Sequence, residues 1–208
     1  MRLRKSDIYY YLIGILILTL GISIAIRSNQ GTSPFDALLV GLFKTFGFSI
    51  GSFEVIVGFT MILINSVVTK ERPEYFALVT SLITGVGIDF WYYVTGYLTF
   101  PSAFAGELFV VSLGVIISAL GISIYIQSSI APNPLDRSML ILSDKTGLSL
   151  TKSRAIINVI LVIIAFSIGG VIGIGTVINA LLSGWLITLF LPHISFISKY
   201  DTKGGEHE

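Results

Sequence analysis

A stretch in the first half of this 208-residue chain reappears, without a gap, one hundred positions later. Leu20-Gly21-Ile22-Ser23-Ile24 returns as Leu120-Gly121-Ile122-Ser123-Ile124, with Gly14 over Gly114 and Ile26 over Ile126. Further along, Ser28 falls on Ser128, Pro34 on Pro134, Asp36 on Asp136, Gly47 on Gly147 and Ser49 on Ser149. Chance resemblance between two apolar helices is the plain alternative. It does not produce shared Gly, Pro and Asp through a polar connection. The chain reads as two copies of one unit, over 1–100 and 101–197, followed by a polar tail over 198–208 expected to be disordered.

What each unit can be follows from its apolar runs. A helix needs about 20 mostly apolar residues to cross a bilayer. Such runs lie near 8–27, 51–69, 76–98, 107–127, 153–171 and 175–192. The last two form one stretch, which Gly169, Gly170, Gly173 and Gly175 divide, since glycine weakens a helix interior by about 1 kcal/mol. The first run lacks an Ala-x-Ala cleavage site and reads as a retained span rather than a signal peptide. With 53% apolar and 12% charged residues, the chain cannot cover a soluble core with polar groups. The expected fold is an all-α polytopic membrane protein, six transmembrane helices as two three-helix repeats, each with a short half-helix.

Three spans per repeat is an odd number, so the second copy must enter the membrane from the opposite side. Inverted repeats of this kind occur in many secondary transporters, with sites near the midplane between the halves. Lys and Arg should collect on the cytoplasmic side. With the N-terminus inside, eleven lie on inner segments, and only Arg27 and Lys44 lie on outer ones. Both termini are therefore expected in the cytoplasm.

After the first helix of each unit comes a polar turn and a short apolar segment, near 34–46 and 134–146. These are too short to cross and suit re-entrant or interfacial half-helices. Ser33 and Asn133 are good N-caps, Pro34 and Pro134 suit the first helical position, and Asp36 and Asp136 fall at the third. One reading is helix-start grammar alone. The other is that two opposed helix N-termini line a polar cavity and bind a solute. The two aspartates already neutralise the dipole ends, so cations, zwitterions or neutral polar solutes fit better than strong anions.

Few charges lie inside the spans. Asp89 sits about 20 Å into its helix at 1.5 Å per residue, which suits either a coupling-proton site or an outer-interface residue beside Trp91, Tyr92 and Tyr93. Glu54 and Arg154 occupy equivalent repeat positions near opposite faces and suit gating pairs, Arg154 with Asp136 being the natural one; a plain charge-orientation role for Arg154 stands beside it. Asn158 lies one turn beyond Arg154. Thr80 and Thr176, early in the third helix of each unit, are the substrate-contact candidates among residues that otherwise act as packing glue.

At these residues the sequence resembles the YczE/YyaS/YitT group of bacterial integral membrane proteins. The resemblance rests on Gly21, Ser33-Pro34-Phe35-Asp36, Asn133-Pro134-Leu135-Asp136, Arg154 and the run from Gly169 to Thr176. It implies a bacterial cytoplasmic membrane protein of mostly unassigned function, often taken for a permease; the pattern has an acid where this chain has Asn158.

Function classes narrow accordingly. With no cysteine and only His193 and His207, neither a thiol nor a histidine metal cluster can be assembled, so no enzyme activity, cofactor or metal is expected. A net charge of +1 offers nothing to nucleic acid. The expected partners are the lipid bilayer and a small polar solute or ion, with a homodimer or an energising subunit as further options. A permease working by alternating access leads; a substrate-binding subunit or an accessory or regulatory protein needing a partner is the alternative.

Overall fold

Side-chain caps and left-handed turns cut the described part of the chain into eight helices. The computed structural model describes residues 5–128, 130 and 133–204, and among these the secondary structure is entirely helical. The helices are α1 (Lys5–Arg27), α2 (Pro34–Phe46), α3 (Ile50–Thr69), α4 (Tyr75–Thr95), α5 (Phe104–Tyr125), α6 (Pro134–Thr146), α7 (Leu150–Ser167) and α8 (Ile174–Gly204). Ser33, Ser49, Asn133 and Ser149 accept backbone N–H groups at the starts of α2, α3, α6 and α7. Gly47 (φ 81°) and Gly147 (φ 71°) end α2 and α6 in the left-handed conformation that glycine takes at little cost.

Six helices are long and apolar enough to span a bilayer: α1, α3, α4, α5, α7 and α8 as far as Ile194. They coincide with the six runs in the sequence, and the chain is a multi-pass membrane protein. Helix α8 continues through Pro192 to Gly204, so helical backbone enters the segment expected to be disordered. Residues 205–208 lie outside the described ones.

The spans are turned inside out relative to soluble helices. On α4, Val79, Leu82, Val86, Phe90 and Tyr93 form one exposed stripe, while Ala77, Thr80, Ser81, Thr84, Gly85 and Ile88 are buried. Lipid is as apolar as leucine, so burying large side chains gains little; small residues that let backbones approach make the contacts instead. The most extensive contact, α1 with α5, is built this way. A Cβ at Gly21 would strike the Gly114 carbonyl, and one at Gly114 the Gly21 carbonyl. Gly121 meets Gly14 and Gly14 meets Tyr125, so the two helices run antiparallel with equivalent positions exchanged across the seam.

Around that seam the contacts come in matched pairs: α1 with α4 and α5 with α8, α2 with α7 and α3 with α6, α2 with α3 and α6 with α7. Ser23 Oγ donates to the carbonyls of Thr19 and Ile88. Ser123 Oγ donates to those of Ala119 and Ile187.

Two capped half-helices as the candidate functional site

The turn before α2 holds its aspartate by local grammar first. Ser33 Oγ accepts from Asp36 N (3.1 Å) and donates to Asp36 Oδ2 (2.6 Å), a reciprocal cap between the N-cap residue and the third helical residue. Thr32 Oγ1 adds a donor at 3.3 Å. Asp36 is buried, and that burial pushes its carboxyl above its ordinary value, against the pull of the two hydroxyls. Glu54, in the first turns of α3, is 1% exposed. It lies close enough to feel the charge of Asp36, and its Oε1 is buried without a hydrogen-bond partner. Two carboxyl groups thus share one interior site.

The second turn repeats the backbone and changes the chemistry. Asn133 Oδ1 accepts from Leu135 N (2.9 Å). Arg154 Nη2 stands 3.5 Å from Asp136 Oδ1, and the Tyr125 hydroxyl donates to Asp136 Oδ2 at 3.3 Å. Residue 125 aligns with Ala25 in the first unit, which supplies no hydroxyl to Asp36. Residues 129, 131 and 132 of this turn lie outside the described ones.

The two turns sit at opposite ends of the bundle. The first meets the link before α8 and the first turn of α8: Gly175 N donates to the Gln30 carbonyl (2.7 Å), and Gly31 abuts Gly173 and Thr176. The second meets the end of α3 and the start of α4. Asn65 Nδ2 donates to the Pro134 carbonyl, Ser138 Oγ donates to Asn65 Oδ1, and Arg137 pairs with Glu74 at 2.8 Å. Each turn borders its own cavity. Pro134 lines one of about 20 Å³, and Gly31 and Thr32 line one of about 260 Å³.

The remaining candidates are distributed. Asp89 anchors the start of α3, accepting from Ser49 Oγ (2.5 Å) and Gly51 N (2.7 Å). Thr80 accepts from the Tyr11 hydroxyl (2.7 Å), tying α1 to α4. Thr176, in the first turn of α8, accepts from Gly173 N (3.4 Å) beside Gly31. The Asn158 side chain, on α7, makes no hydrogen bond among the described residues. No group of three potential metal ligands occurs among them either. The sequence singles out neither Tyr125 nor the joining of Arg27 and Lys44 in one cavity; the offset of 100, which sets Tyr125 over Ala25, is the one signal that could have found the first.

The proteins this chain is similar to have names that assign no activity. The uncharacterised protein YyaS of Bacillus subtilis (strain 168) is 39% identical over 192 residues, covering 91% of this chain and 96% of its own. The uncharacterised membrane protein YczE of the same organism is 32% identical, covering 88% and 84%. An uncharacterised protein of Haemophilus influenzae is 25% identical, covering 93% and 89%. No solved structure matches. The match to the family of unknown function DUF6198 runs over residues 5–192, and the chain belongs to that family.

Proposed function

We propose that the protein is a bacterial inner-membrane permease for a small polar solute or ion, working by alternating access between two inverted repeats. The observation that carries this reading is the antiparallel α1–α5 seam, across which Gly14, Gly21, Gly114 and Gly121 exchange equivalent positions. A seam of that kind supplies two related arrangements, one opening toward each side, which is the design of many secondary transporters. The argument from design is one of fold-level analogy. The capped turns supply the two ends of the cycle, with Asp36 and Glu54 at one and Asp136, Arg154 and Tyr125 at the other. In this reading the charge distribution puts both termini in the cytoplasm and Asp36 toward the outside. No catalytic constellation is needed.

Inversion can be tested cleanly because the chain has no cysteine. Phe46→Cys and Thr146→Cys occupy equivalent positions at the exposed ends of α2 and α6. A membrane-impermeant maleimide should label the first only from outside intact cells and the second only after permeabilisation; labelling from one side alone sinks the inversion. For transport, purified protein in liposomes should support counterflow of one class among labelled amino acids, betaines, polyamines and monosaccharides. Flux that appears only with an added ATPase partner makes the protein a binding subunit. No flux under either condition removes the transport reading.

A further inference from the structure

The only two cations on the expected outer segments, Arg27 and Lys44, come from different helices and line one cavity of about 260 Å³. That is far more than the roughly 10–15 Å³ one water requires. Asn29 and Thr32 contribute polar walls, Phe43 and Tyr92 apolar ones, and no acid is among the lining residues. Arg27 is held rather than free. Its Nη2 donates to the Tyr92 carbonyl (2.5 Å), and its guanidinium carbon lies 3.9 Å from the centre of the Tyr92 ring. These contacts orient the group without neutralising it.

The charge has no counterpart. Arg27 Nε is buried with no hydrogen-bond partner, and neither Arg27 nor Lys44 forms an ion pair among the described residues. The carboxylates nearby are engaged elsewhere. Glu107 accepts from Gln30 Nε2 (2.6 Å), and Asp36 is bound to Thr32 and Ser33 behind the cavity wall. A guanidinium stacked on a ring, partly buried and unpaired, costs stability unless an anion completes it. A planar donor fork with a lysine point charge beside it matches a carboxylate or phosphate group.

We propose that this cavity binds the oxyanion group, carboxylate or phosphate, of a small solute or of a lipid headgroup. The site stands on its own geometry and does not depend on the permease reading, so binding and flux can fail separately.

The test uses the full chain in nanodiscs of phosphatidylcholine, titrated with sodium phosphate and with sodium acetate at ionic strength matched by sodium chloride. Thermal unfolding is the readout. Saturable stabilisation by at least one anion is expected, with the apparent Kd weakened about tenfold by Lys44→Gln. Arg27→Gln removes a contact between α1 and α4 and can misfold; Arg27→Lys keeps the charge, loses the fork and should weaken binding as well. A second arm replaces part of the lipid with phosphatidylglycerol. If that lipid stabilises the wild type, blocks the free anions and loses its effect in Lys44→Gln, the oxyanion is a headgroup. If the free anions still bind, it is a solute. No saturable response in any lipid, or a response unchanged by Lys44→Gln and Arg27→Lys, overturns the site.

Discussion

Helices α3 and α4 pack along each other, whereas their counterparts α7 and α8 do not. The difference lies in a few side chains. In the first unit, Gly51 and Gly85 meet backbone to backbone, Gly58 abuts Ser81, and Asp89 binds Ser49 and Gly51. In the second, the repeat positions of Gly51 and Gly58 hold Thr151 and Asn158. Gly184, ten residues into α8 as Gly85 is into α4, has nothing within 4 Å of where a Cβ would stand. Thr188 stands where Asp89 does, so the clamp on the start of the preceding helix is missing too. Helix contacts in lipid depend on close approach, and the second half lacks both the paired glycines and the aspartate clamp that hold α3 to α4. Helices in corresponding places along the chain are thus tight in the first half and loose in the second.

The largest effect should come from the tight pair. Gly51→Leu would drive a side chain into the Gly85 backbone and should cost about 3 kcal/mol or more, since interiors do not absorb added methylenes. Gly184→Leu should stay within about 0.5 kcal/mol, as surface changes do. Thermal unfolding in detergent compares them, and equal losses would break the contrast.

The second effect separates the two capped turns. Arg154→Leu leaves Asp136 without its cation. Breaking a buried pair costs roughly 3–5 kcal/mol, but both side chains are more than a third exposed, so about 1–2 kcal/mol is expected. Asp136→Asn in the same chain should restore most of it. At the other end, Glu54→Gln relieves two neighbouring carboxyls and should be neutral or stabilising by about 1 kcal/mol. A loss on Glu54→Gln as large as that on Arg154→Leu would mean that the two ends are electrostatically alike.

The smallest effect is a slope. Burial raises the Asp36 carboxyl above its ordinary value, so the folded protein holds that proton longer than the unfolded chain. Stability attributable to Asp36 is full below the unfolded value near about 4 and falls as pH rises through the folded value. Asp36→Asn should flatten unfolding temperature against pH over that window. A slope unchanged by the substitution would assign it to another group.

Much of this architecture was legible because it is local. The period of the apolar runs located all six spans to within a few residues. The order Ser-Pro-x-Asp and Asn-Pro-x-Asp placed the starts of α2 and α6 where they are, because the N-cap side chain and the first-turn proline act within one turn. The pairing of Asp136 with Arg154 was also readable, from charge and spacing. Other relationships were not. Asp89 reads equally well as a proton site or an interface residue until Ser49 and Gly51 are seen to donate to it. Nothing within one helix says which glycine another helix will approach.

By itself, then, the sequence determined the helices and their caps, which follow from interactions a few residues long. Tertiary structure alone decided that the two Pro-x-Asp turns, which the odd span count already set toward opposite faces, border separate cavities. It also decided that Arg27 meets Lys44, and that α3 and α4 close while α7 and α8 stand apart. Those outcomes depend on which backbones come within reach across the bundle, and a single Cβ is enough to change them.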